Sequence, residues 1–137
     1  NIKSILIDRK YGKFYIANNR DLIIYDTNGN YIKSIKSIEP FKLKLFNEFI
    51  FYVDTHDDGN SINVIDRKNL SKVQEFSSKK RMNIIDFTFD DQNNLYTLND
   101  YYLISKIKIE QNFNMIYPLT LGLLTYFIFK NPLDLNF

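Results

Sequence analysis

Apolar and polar residues alternate along most of the chain in short runs, and polar turns separate these runs. Residues 22–35, "LIIYDTNGNYIKSI", hold an apolar run, a turn at Asn28-Gly29 and a second, alternating run. Alternation with a period of two is typical of half-buried β-strands, and Asn-Gly is a strong signal for a tight hairpin turn. The pattern therefore predicts consecutive antiparallel strands joined by hairpins.

The same strand pattern recurs further along the chain. Residues 4–19, "SILIDRKYGKFYIANN", resemble residues 86–100, "DFTFDDQNNLYTLND". Each segment reads as an alternating strand, a turn that begins with Asp, and an aromatic-rich strand that ends in Asn. Asp8 and Asp90 are aligned in these segments, and their offset of 82 residues equals two steps of 41. A repeating unit of about 40 residues is therefore predicted.

A middle copy of the unit follows from the same pattern. Residues 49–55, "FIFYVDT", supply this copy, in which Tyr52 is aligned with Tyr15. Asp26 and Asp66 lie 40 residues apart, each at the end of an apolar run. Each unit is predicted to hold four short strands joined by hairpins. The units, which together form a single domain, are predicted at about residues 4–36, 41–76 and 84–117, with a partial fourth unit at residues 118–137.

The composition also favours strands over helices. Ala17 is the only alanine, whereas aromatic residues make up 16% of the chain. Alanine is the best helix former, while aromatic and β-branched residues prefer strands. With 45% hydrophobic and 25% charged residues, a folded domain is expected rather than a disordered chain. The absence of cysteine excludes disulfides and zinc–thiolate sites.

Residues 115–129, "MIYPLTLGLLTYFIF", form the longest apolar stretch. A helix of this length would span roughly 22 Å, less than the roughly 30 Å of a bilayer core, and Pro118 and Gly122 interrupt it. Buried strands are therefore predicted here rather than a membrane span. The chain begins without Met or a recognisable signal peptide, so we expect it to be a piece of a longer protein. The sequence indicates no compartment.

The predicted unit resembles the blade of a β-propeller. A period of about 40 residues with four strands per unit is typical of such blades. Residues 86–100 and residues 61–76, "SINVIDRKNLSKVQEF", are most similar to NHL-type and related propellers. The lack of a Trp-Asp pair, a Gly-His pair and a double glycine argues against the WD-type and kelch families.

The resemblance implies an all-β fold of about three and a half four-stranded antiparallel blades. One blade cannot bury both faces of its sheet, so neighbouring blades must cover them. Propellers need about four to eight blades to close a ring. We therefore expect further blades, in a longer chain or in another chain, to complete the ring. An open β-solenoid is the alternative that stacked hairpins would also allow.

The loop at residues 54–60, "DTHDDGN", is the candidate for metal binding. Asp54, His56 and Asp58 alternate in it, as ligands do in the first half of a calcium-binding loop. However, Ile65 stands where such a loop needs a bidentate Glu. Calcium would therefore require ligands from other loops, with Asp54 and Asp58 as the candidates here, and a solvated turn is the alternative. No resident cofactor is predicted.

No catalytic residue is predicted. His56 is the only histidine, and no Gly-x-Ser-x-Gly elbow is present to support a Ser-His-Asp arrangement. The chain has four glycines, all scattered, so it lacks a phosphate-binding glycine-rich loop. The expected function is a non-enzymatic binding scaffold. A propeller-type lactonase or hydrolase with a metal in its channel is the alternative that the resemblance leaves open.

The resemblance also implies where a partner binds. In propellers, the loops between the second and third strands of each blade and the connections between blades point to the face that usually binds ligands. Tyr101 and Tyr102 at this face could stack on a sugar or a base, or pack between blades. The net charge of +2 and the acidic loop argue against nucleic acid. The polar, mixed-charge character of this face favours a protein or glycan partner over a buried small molecule. The candidate binding residues are Asn18, Asn19, Arg20, Asp54, His56, Asp57, Asp58, Asn99, Asp100, Tyr101, Lys79, Lys80 and Arg81.

Overall fold

The computed structural model describes residues 1–37, 39–77 and 83–109, which form eleven β-strands and no helix. The strands are β1 (Ile2–Asp8), β2 (Lys13–Asn18), β3 (Asp21–Asp26), β4 (Tyr31–Lys36), β5 (Phe41–Phe46), β6 (Phe49–His56), β7 (Gly59–Asp66), β8 (Lys72–Ser77), β9 (Ile84–Phe89), β10 (Asn94–Asn99) and β11 (Ile104–Lys108). The all-β fold predicted from the hydrophobic pattern is confirmed.

Several predicted features lie outside the described residues. They are the predicted fourth strand of the third unit, the partial fourth unit and the apolar stretch at residues 115–129. Within the described ranges, no helix has the length and apolar character needed to cross a membrane.

The strands form three antiparallel sheets, in which each strand pairs with its neighbours in the chain. Sheet 1 contains β1 to β4, sheet 2 contains β5 to β8, and sheet 3 contains β9 to β11. They cover residues 2–36, 41–77 and 84–108. Antiparallel sheets built from consecutive hairpins are what the sequence pattern predicts. The assignment of the whole chain to one domain stays a prediction.

Sheet 2 lies between sheets 1 and 3 and is buried on both faces. The apolar cluster between sheets 1 and 2 contains Tyr15, Ala17, Leu22, Ile24, Leu43, Ile50, Tyr52, Ile65 and Leu70. The cluster between sheets 2 and 3 contains Phe49, Phe51, Val53, Ile62, Val64, Phe76, Ile84, Phe87, Leu95, Ile107 and Ile109. In β6, all residues from Phe49 to Asp54 are buried. Stacking therefore hides apolar side chains that one sheet could not bury alone.

The alignment of Tyr52 with Tyr15 is wrong by one residue. Both rings belong to the cluster between sheets 1 and 2, so they point toward each other from opposite sides of that interface. Tyr15 points from sheet 1 toward sheet 2. Its equivalent in β6 is Phe51, which pairs with Val64 and points from sheet 2 toward sheet 3. Because side chains alternate along a strand, a shift of one residue exchanges the two faces of the sheet.

The turns at one edge of the sheets are closed by Asp side chains. Asp26 Oδ1 accepts hydrogen bonds from the backbone N–H groups of Asn28, at 2.9 Å, and Asn30, at 2.8 Å. Asp66, which is aligned with Asp26, accepts two backbone N–H groups in the corresponding turn of sheet 2. Gly29 has a φ of +86°, a left-handed conformation that glycine adopts without the steric cost of a Cβ. The Asn28-Gly29 hairpin therefore occurs where the sequence predicts it.

Candidate binding face

The opposite edge of the sheets carries the β2–β3, β6–β7 and β10–β11 turns, the described residues of the β4–β5 connection, and Ser77 and Asn83 at the two ends of the β8–β9 connection. We call this edge the loop face. In sheet 1, the backbone N–H of Ser37 donates to the carbonyl of Arg20 at 3.0 Å, and the N–H of Glu39 donates to that of Asn19 at 3.2 Å. The connection that leaves sheet 1 is therefore bonded to the β2–β3 turn.

The predicted residues of sheet 1 have different roles at the loop face. Asn18 Oδ1 accepts the backbone N–H groups of Arg20, at 2.7 Å, and Asp21, at 2.8 Å, so this side chain closes the turn. Asn19 and Arg20 are exposed. Of the three predicted residues, Asn18 therefore holds the backbone, while Asn19 and Arg20 face solvent.

Asp54 is buried and engaged within the protein. Its Oδ1 accepts a hydrogen bond from Ser37 Oγ at 2.6 Å, and its Oδ2 accepts one from Asn63 Nδ2 at 3.0 Å. Burial, with the Asp54 charge nearby, raises the pKa of the Tyr52 hydroxyl to about 12. The carboxylate thus joins the β4–β5 connection to sheet 2 in the interior.

The β6–β7 turn brings His56 to two side chains that sequence reasoning missed. His56 Nε2 lies 2.9 Å from Ser61 Oγ and 3.4 Å from Glu75 Oε1. Ser61 Oγ also donates to Glu75 Oε1 at 2.9 Å, and Lys72 Nζ donates to the other oxygen of Glu75 at 2.7 Å. Burial alone would raise the pKa of Glu75, but the hydrogen bonds from Lys72 and Ser61 outweigh it and hold that pKa below its usual range.

The contacts of His56, Ser61 and Glu75 differ from those of a Ser-His-Asp catalytic triad. In a Ser-His-Asp triad, the histidine bonds the serine through one ring nitrogen and the acid through the other. Here the same Nε2 of His56 approaches both Ser61 and Glu75, and Ser61 directs its proton to Glu75. The contacts of Ser61, His56 and Glu75 are therefore not those of a catalytic triad. His56 and Glu75 line a shallow cavity of about 280 Å³ together with Asp58, Gly59, Asn60 and Ser77.

The two calcium candidates lie in different surroundings. Asp54 is bonded to Ser37 and Asn63 inside the stack, whereas Asp58 is exposed and lines the cavity. Over residues 1–37, 39–77 and 83–109, no group of three or more His, Cys, Asp or Glu side chains is close enough together to hold a metal ion. Calcium binding stays an untested prediction of the sequence.

The β10–β11 turn of sheet 3 is bonded to the β8–β9 connection. Asn99 Oδ1 accepts the backbone N–H groups of Tyr101, at 2.9 Å, and Leu103, at 3.0 Å. The Asp100 carboxylate accepts hydrogen bonds from the backbone N–H of Asn83, at 3.1 Å, and from its side-chain amide, at 3.2 Å. The backbone N–H of Asp100 donates to the Asn83 carbonyl at 2.9 Å. Asn99 and Asp100 therefore make this turn rigid.

The rigid turn presents two aromatic rings to solvent. Tyr101 is 62% exposed and Tyr102 is 82% exposed, so packing between sheets does not account for either ring. Tyr102 has a φ of +61°, in the left-handed region, which costs a non-glycine residue roughly 1–2 kcal/mol. The surrounding hydrogen bonds hold the chain in this conformation despite that cost.

Side chains at the loop face also connect neighbouring sheets. The Asn60 amide bonds both backbone groups of Ile84, accepting from its N–H at 2.6 Å and donating to its carbonyl at 2.8 Å. Asn60 and Ser61 were not predicted from the sequence. The available signal was a pair of polar residues at the start of an otherwise apolar strand, and the structure shows that both are buried.

Asp57 is exposed at the tip of the β6–β7 turn. The predicted residues Lys79, Lys80 and Arg81 lie outside the described part of the chain.

Comparison with known proteins identifies the fold through solved structures. No family model and no curated protein matches the chain. Kluyveromyces lactis Hsv2 matches with a TM-score of 0.52 at 11% identity, over 82% of this chain and 34% of that chain. A form of KlHsv2 with loop 6CD replaced by a Gly-Ser linker matches with a TM-score of 0.53 at 13% identity, over 85% of this chain and 38% of that chain.

These solved structures are β-propeller proteins. The described chain is therefore similar to part of a propeller, in agreement with its three stacked antiparallel sheets. At such low identities the likeness shows the fold alone. The chain spans about a third of the length of the solved chains that it matches.

Proposed function

We propose that this chain is part of a non-enzymatic propeller scaffold that binds a protein or glycan partner at its loop face, within a larger chain or assembly. The observation that carries the proposal is the bonding of each loop to its neighbours. The β2–β3 and β10–β11 turns are each bonded to the connection beside them, and Asn60 bonds the first residue of β9. A face held in this way loses little conformational freedom when a partner binds.

The exposed side chains of the loop face suit an extended contact. Arg20, Asp57 and Asp58 are exposed and supply charges of both signs, and Tyr101 and Tyr102 add aromatic surface. Small-molecule sites are concave and lined mainly by hydrophobic and aromatic side chains, whereas the cavity beside His56 is shallow and has no aliphatic side chain or phenyl, phenol or indole ring in its lining. Tyrosine and arginine are enriched among the residues that dominate protein interfaces, and aromatic rings also stack on sugars. These features support a macromolecular partner.

We also propose that the sheets are blades of the NHL type or a related type. The support is the turn chemistry, in which an Asp side chain closes the turn at Asp26, at Asp66 and at Asp90 by accepting backbone N–H groups. The proposal predicts that related sequences keep an acceptor side chain at these positions.

The test is a binding screen with variants of the two tyrosines. The chain would be screened against a glycan array and a displayed peptide library, and the best ligand would be titrated against Tyr101→Ala/Tyr102→Ala. Loss of two exposed aromatic contacts is expected to weaken binding by about tenfold or more, since each contact that dominates an interface contributes over about 1 kcal/mol. Thr27→Ala/Asn28→Ala, at the opposite edge, is the matched control and is expected to bind normally. Binding that is lost in this control but kept in the tyrosine variant would overturn the assignment of the face.

A further inference from the structure

The cavity on the loop face is lined by side chains that form hydrogen bonds. It lies where the β6–β7 turn meets the end of β8, and its lining is His56, Asp58, Gly59, Asn60, Glu75 and Ser77. Imidazole, amide and hydroxyl groups donate hydrogen bonds, and the two carboxylates accept them. This lining does not form the apolar pocket that a hydrophobic anchor of a protein partner fills. The cavity therefore matches a ligand that carries many hydroxyl groups.

Two walls of the cavity are held in place from within the protein. The Glu75 carboxylate accepts a hydrogen bond from Ser61 Oγ at 2.9 Å and another from Lys72 Nζ at 2.7 Å. The Asn60 amide is bonded through both its oxygen and its nitrogen to the backbone of Ile84. Side chains that are already fixed lose little conformational freedom when a ligand binds.

Two other lining groups remain open to a ligand. Asp58 and Ser77 are exposed, and within the described part of the chain neither side chain has a hydrogen-bond partner. Both can therefore bond a ligand without breaking an internal contact. A carboxylate accepts charge-assisted hydrogen bonds, which are about twice as strong as neutral ones, and its two oxygens can take two neighbouring hydroxyl groups. Neighbouring hydroxyl groups are characteristic of a sugar ring.

Aromatic surface lies close to the cavity. Asn60 bonds Ile84, and the preceding residue, Asn83, bonds Asp100 in the β10–β11 turn. The cavity and this turn are thus connected through two consecutive residues. The turn carries the two exposed tyrosines, whose rings provide a surface on which the apolar face of a sugar can stack.

We propose that the cavity binds one sugar residue of a neutral glycan, and that the adjoining sugar residues lie on the tyrosine turn. The volume of about 280 Å³ equals that of about nine waters at about 30 Å³ each, which is enough for one sugar ring with its hydroxyl groups. The inference rests on the proposed loop-face function and narrows its partner to a glycan.

The charges of the cavity select against acidic sugars. Hydrogen bonds hold the pKa of Glu75 below its usual range, so this carboxylate is ionised at neutral pH. Its charge is paired with that of Lys72, whereas the exposed Asp58 lacks an ion pair in the described ranges. The neighbouring Asp57, also exposed, adds a further negative charge. Uronic acids, sialic acids and sulfated sugars would be repelled here.

A glycan array that displays both neutral and acidic glycans tests the proposal. Neutral glycans are expected to bind, and Asp58→Ala/Ser77→Ala is expected to raise the dissociation constant of the strongest one at least about tenfold. Both side chains are exposed, so the circular dichroism spectrum is expected to stay unchanged. Asp91→Ala/Thr27→Ala, which removes an exposed carboxylate and an exposed hydroxyl at the opposite edge, is the matched control and is expected to bind normally.

Amide NMR shifts locate the glycan without relying on a variant. Addition of the strongest neutral glycan is expected to shift the backbone signals of Gly59 and Ser77 in the cavity and of Tyr101 in the turn. The dissociation constant is also expected to be the same at low and at high ionic strength, because the ligand is neutral. Shifts confined to the opposite edge of the sheets would contradict the proposal.

Other outcomes separate this inference from the loop-face function. If a glycan is lost in Tyr101→Ala/Tyr102→Ala but binds Asp58→Ala/Ser77→Ala normally, the face is correct and the cavity assignment is wrong. If the array shows only acidic glycans, or none, the inference is also wrong. A basic peptide from the displayed library that weakens with salt and in Asp58→Ala/Ser77→Ala would assign the cavity to a cationic side chain instead. The loop-face function would then stand with a protein partner.

Discussion

Arg67 and Asp8 form a two-pronged ion pair that joins sheet 2 to sheet 1. Arg67 Nε donates to Asp8 Oδ2 at 2.8 Å, and Nη2 donates to Oδ1 at 2.5 Å. Asp8 is fully buried, and Arg67 Nη1 also donates to the carbonyl of Asn47 at 2.5 Å. Charge-assisted hydrogen bonds of this bidentate kind are the strong ones in proteins. The pair connects the β1–β2 turn to the β7–β8 turn, at the edge opposite the loop face.

We predict that Arg67→Met lowers the free energy of unfolding by about 3–5 kcal/mol, because it leaves the Asp8 carboxylate buried without its partner. Asp8→Asn in the same background is expected to recover part of this loss, since the uncompensated charge is removed. Urea denaturation of the single and double variants measures the coupling. Lys68→Met, at the exposed neighbouring position, is the control and should change the free energy by less than about 0.5 kcal/mol. If the loss in the double variant equals the sum of the losses in the two single variants, the ion pair contributes little.

The same pair predicts a dependence of stability on pH. Burial alone would raise the pKa of Asp8, but hydrogen bonds from Arg67 and the Tyr11 backbone, with the Arg67 charge, outweigh it and hold that pKa below its usual range. A lowered pKa in the folded state stabilises the protein above the unfolded-state value of about 3.9, and this contribution is lost as pH falls through the folded-state pKa.

Urea midpoints measured between about pH 6 and pH 2 test this dependence. Other carboxyl groups also titrate in this range, so the comparison is between the wild type and Asp8→Asn. The variant is expected to start from a lower stability and to lose less of it on acidification. Parallel curves for the two proteins would show that Asp8 does not contribute to the acid transition.

Asn60 is predicted to be needed for the contact between sheets 2 and 3. Asn60→Ala removes both hydrogen bonds to Ile84, so that the Ile84 N–H and carbonyl lose the Asn60 partner. This change is expected to lower the free energy of unfolding by about 2–3 kcal/mol. Asn60→Asp keeps the acceptor but loses the donor, so it is expected to destabilise the protein as well. Thermal unfolding compares both with Asp58→Ala, an exposed change two residues away. Equal melting temperatures for Asn60→Ala and Asp58→Ala would contradict the role of Asn60.

Calcium is predicted to leave the stability of the chain unchanged. Asp54 is already bonded to Ser37 and Asn63, and among the described residues neither Asp54 nor Asp58 belongs to a group of three or more His, Cys, Asp or Glu side chains that could hold a metal ion. A ligand that binds the native state raises the melting temperature by mass action. Melting curves with calcium and with a chelator are therefore expected to coincide. A rise with calcium that disappears in Asp58→Asn would restore the calcium interpretation.

The strands and turns could be predicted from the sequence because their signals are local. Asn28-Gly29, Asp26 and Asp66 mark turns through their own side chains and backbone preferences, and the structure places turns at each of them. Four-stranded antiparallel sheets then follow from consecutive hairpins. The order of the strands is for this reason the best-predicted property of the chain.

Contacts between sheets could not be predicted in the same way. Arg67 and Asp8 are 59 residues apart, and only the stacking of two sheets brings them together. β6 is apolar on both faces, so its sequence does not alternate and does not show which face Tyr52 belongs to. The alignment of Tyr52 with Tyr15 is for this reason wrong by one residue. His56, Ser61 and Glu75 also meet only after three strands are in register.

Sheets 1 and 2 are bonded at both ends of their shared interface, by Arg67 with Asp8 at one edge and by Ser37 with Asp54 at the other. Apolar packing alone would let the two sheets rotate slightly against each other. With hydrogen bonds at both edges, such a rotation stretches at least one of them. The angular step from one sheet to the next is thus defined by polar groups as well as by apolar ones, and in a circular array this step determines how many sheets fit around the axis.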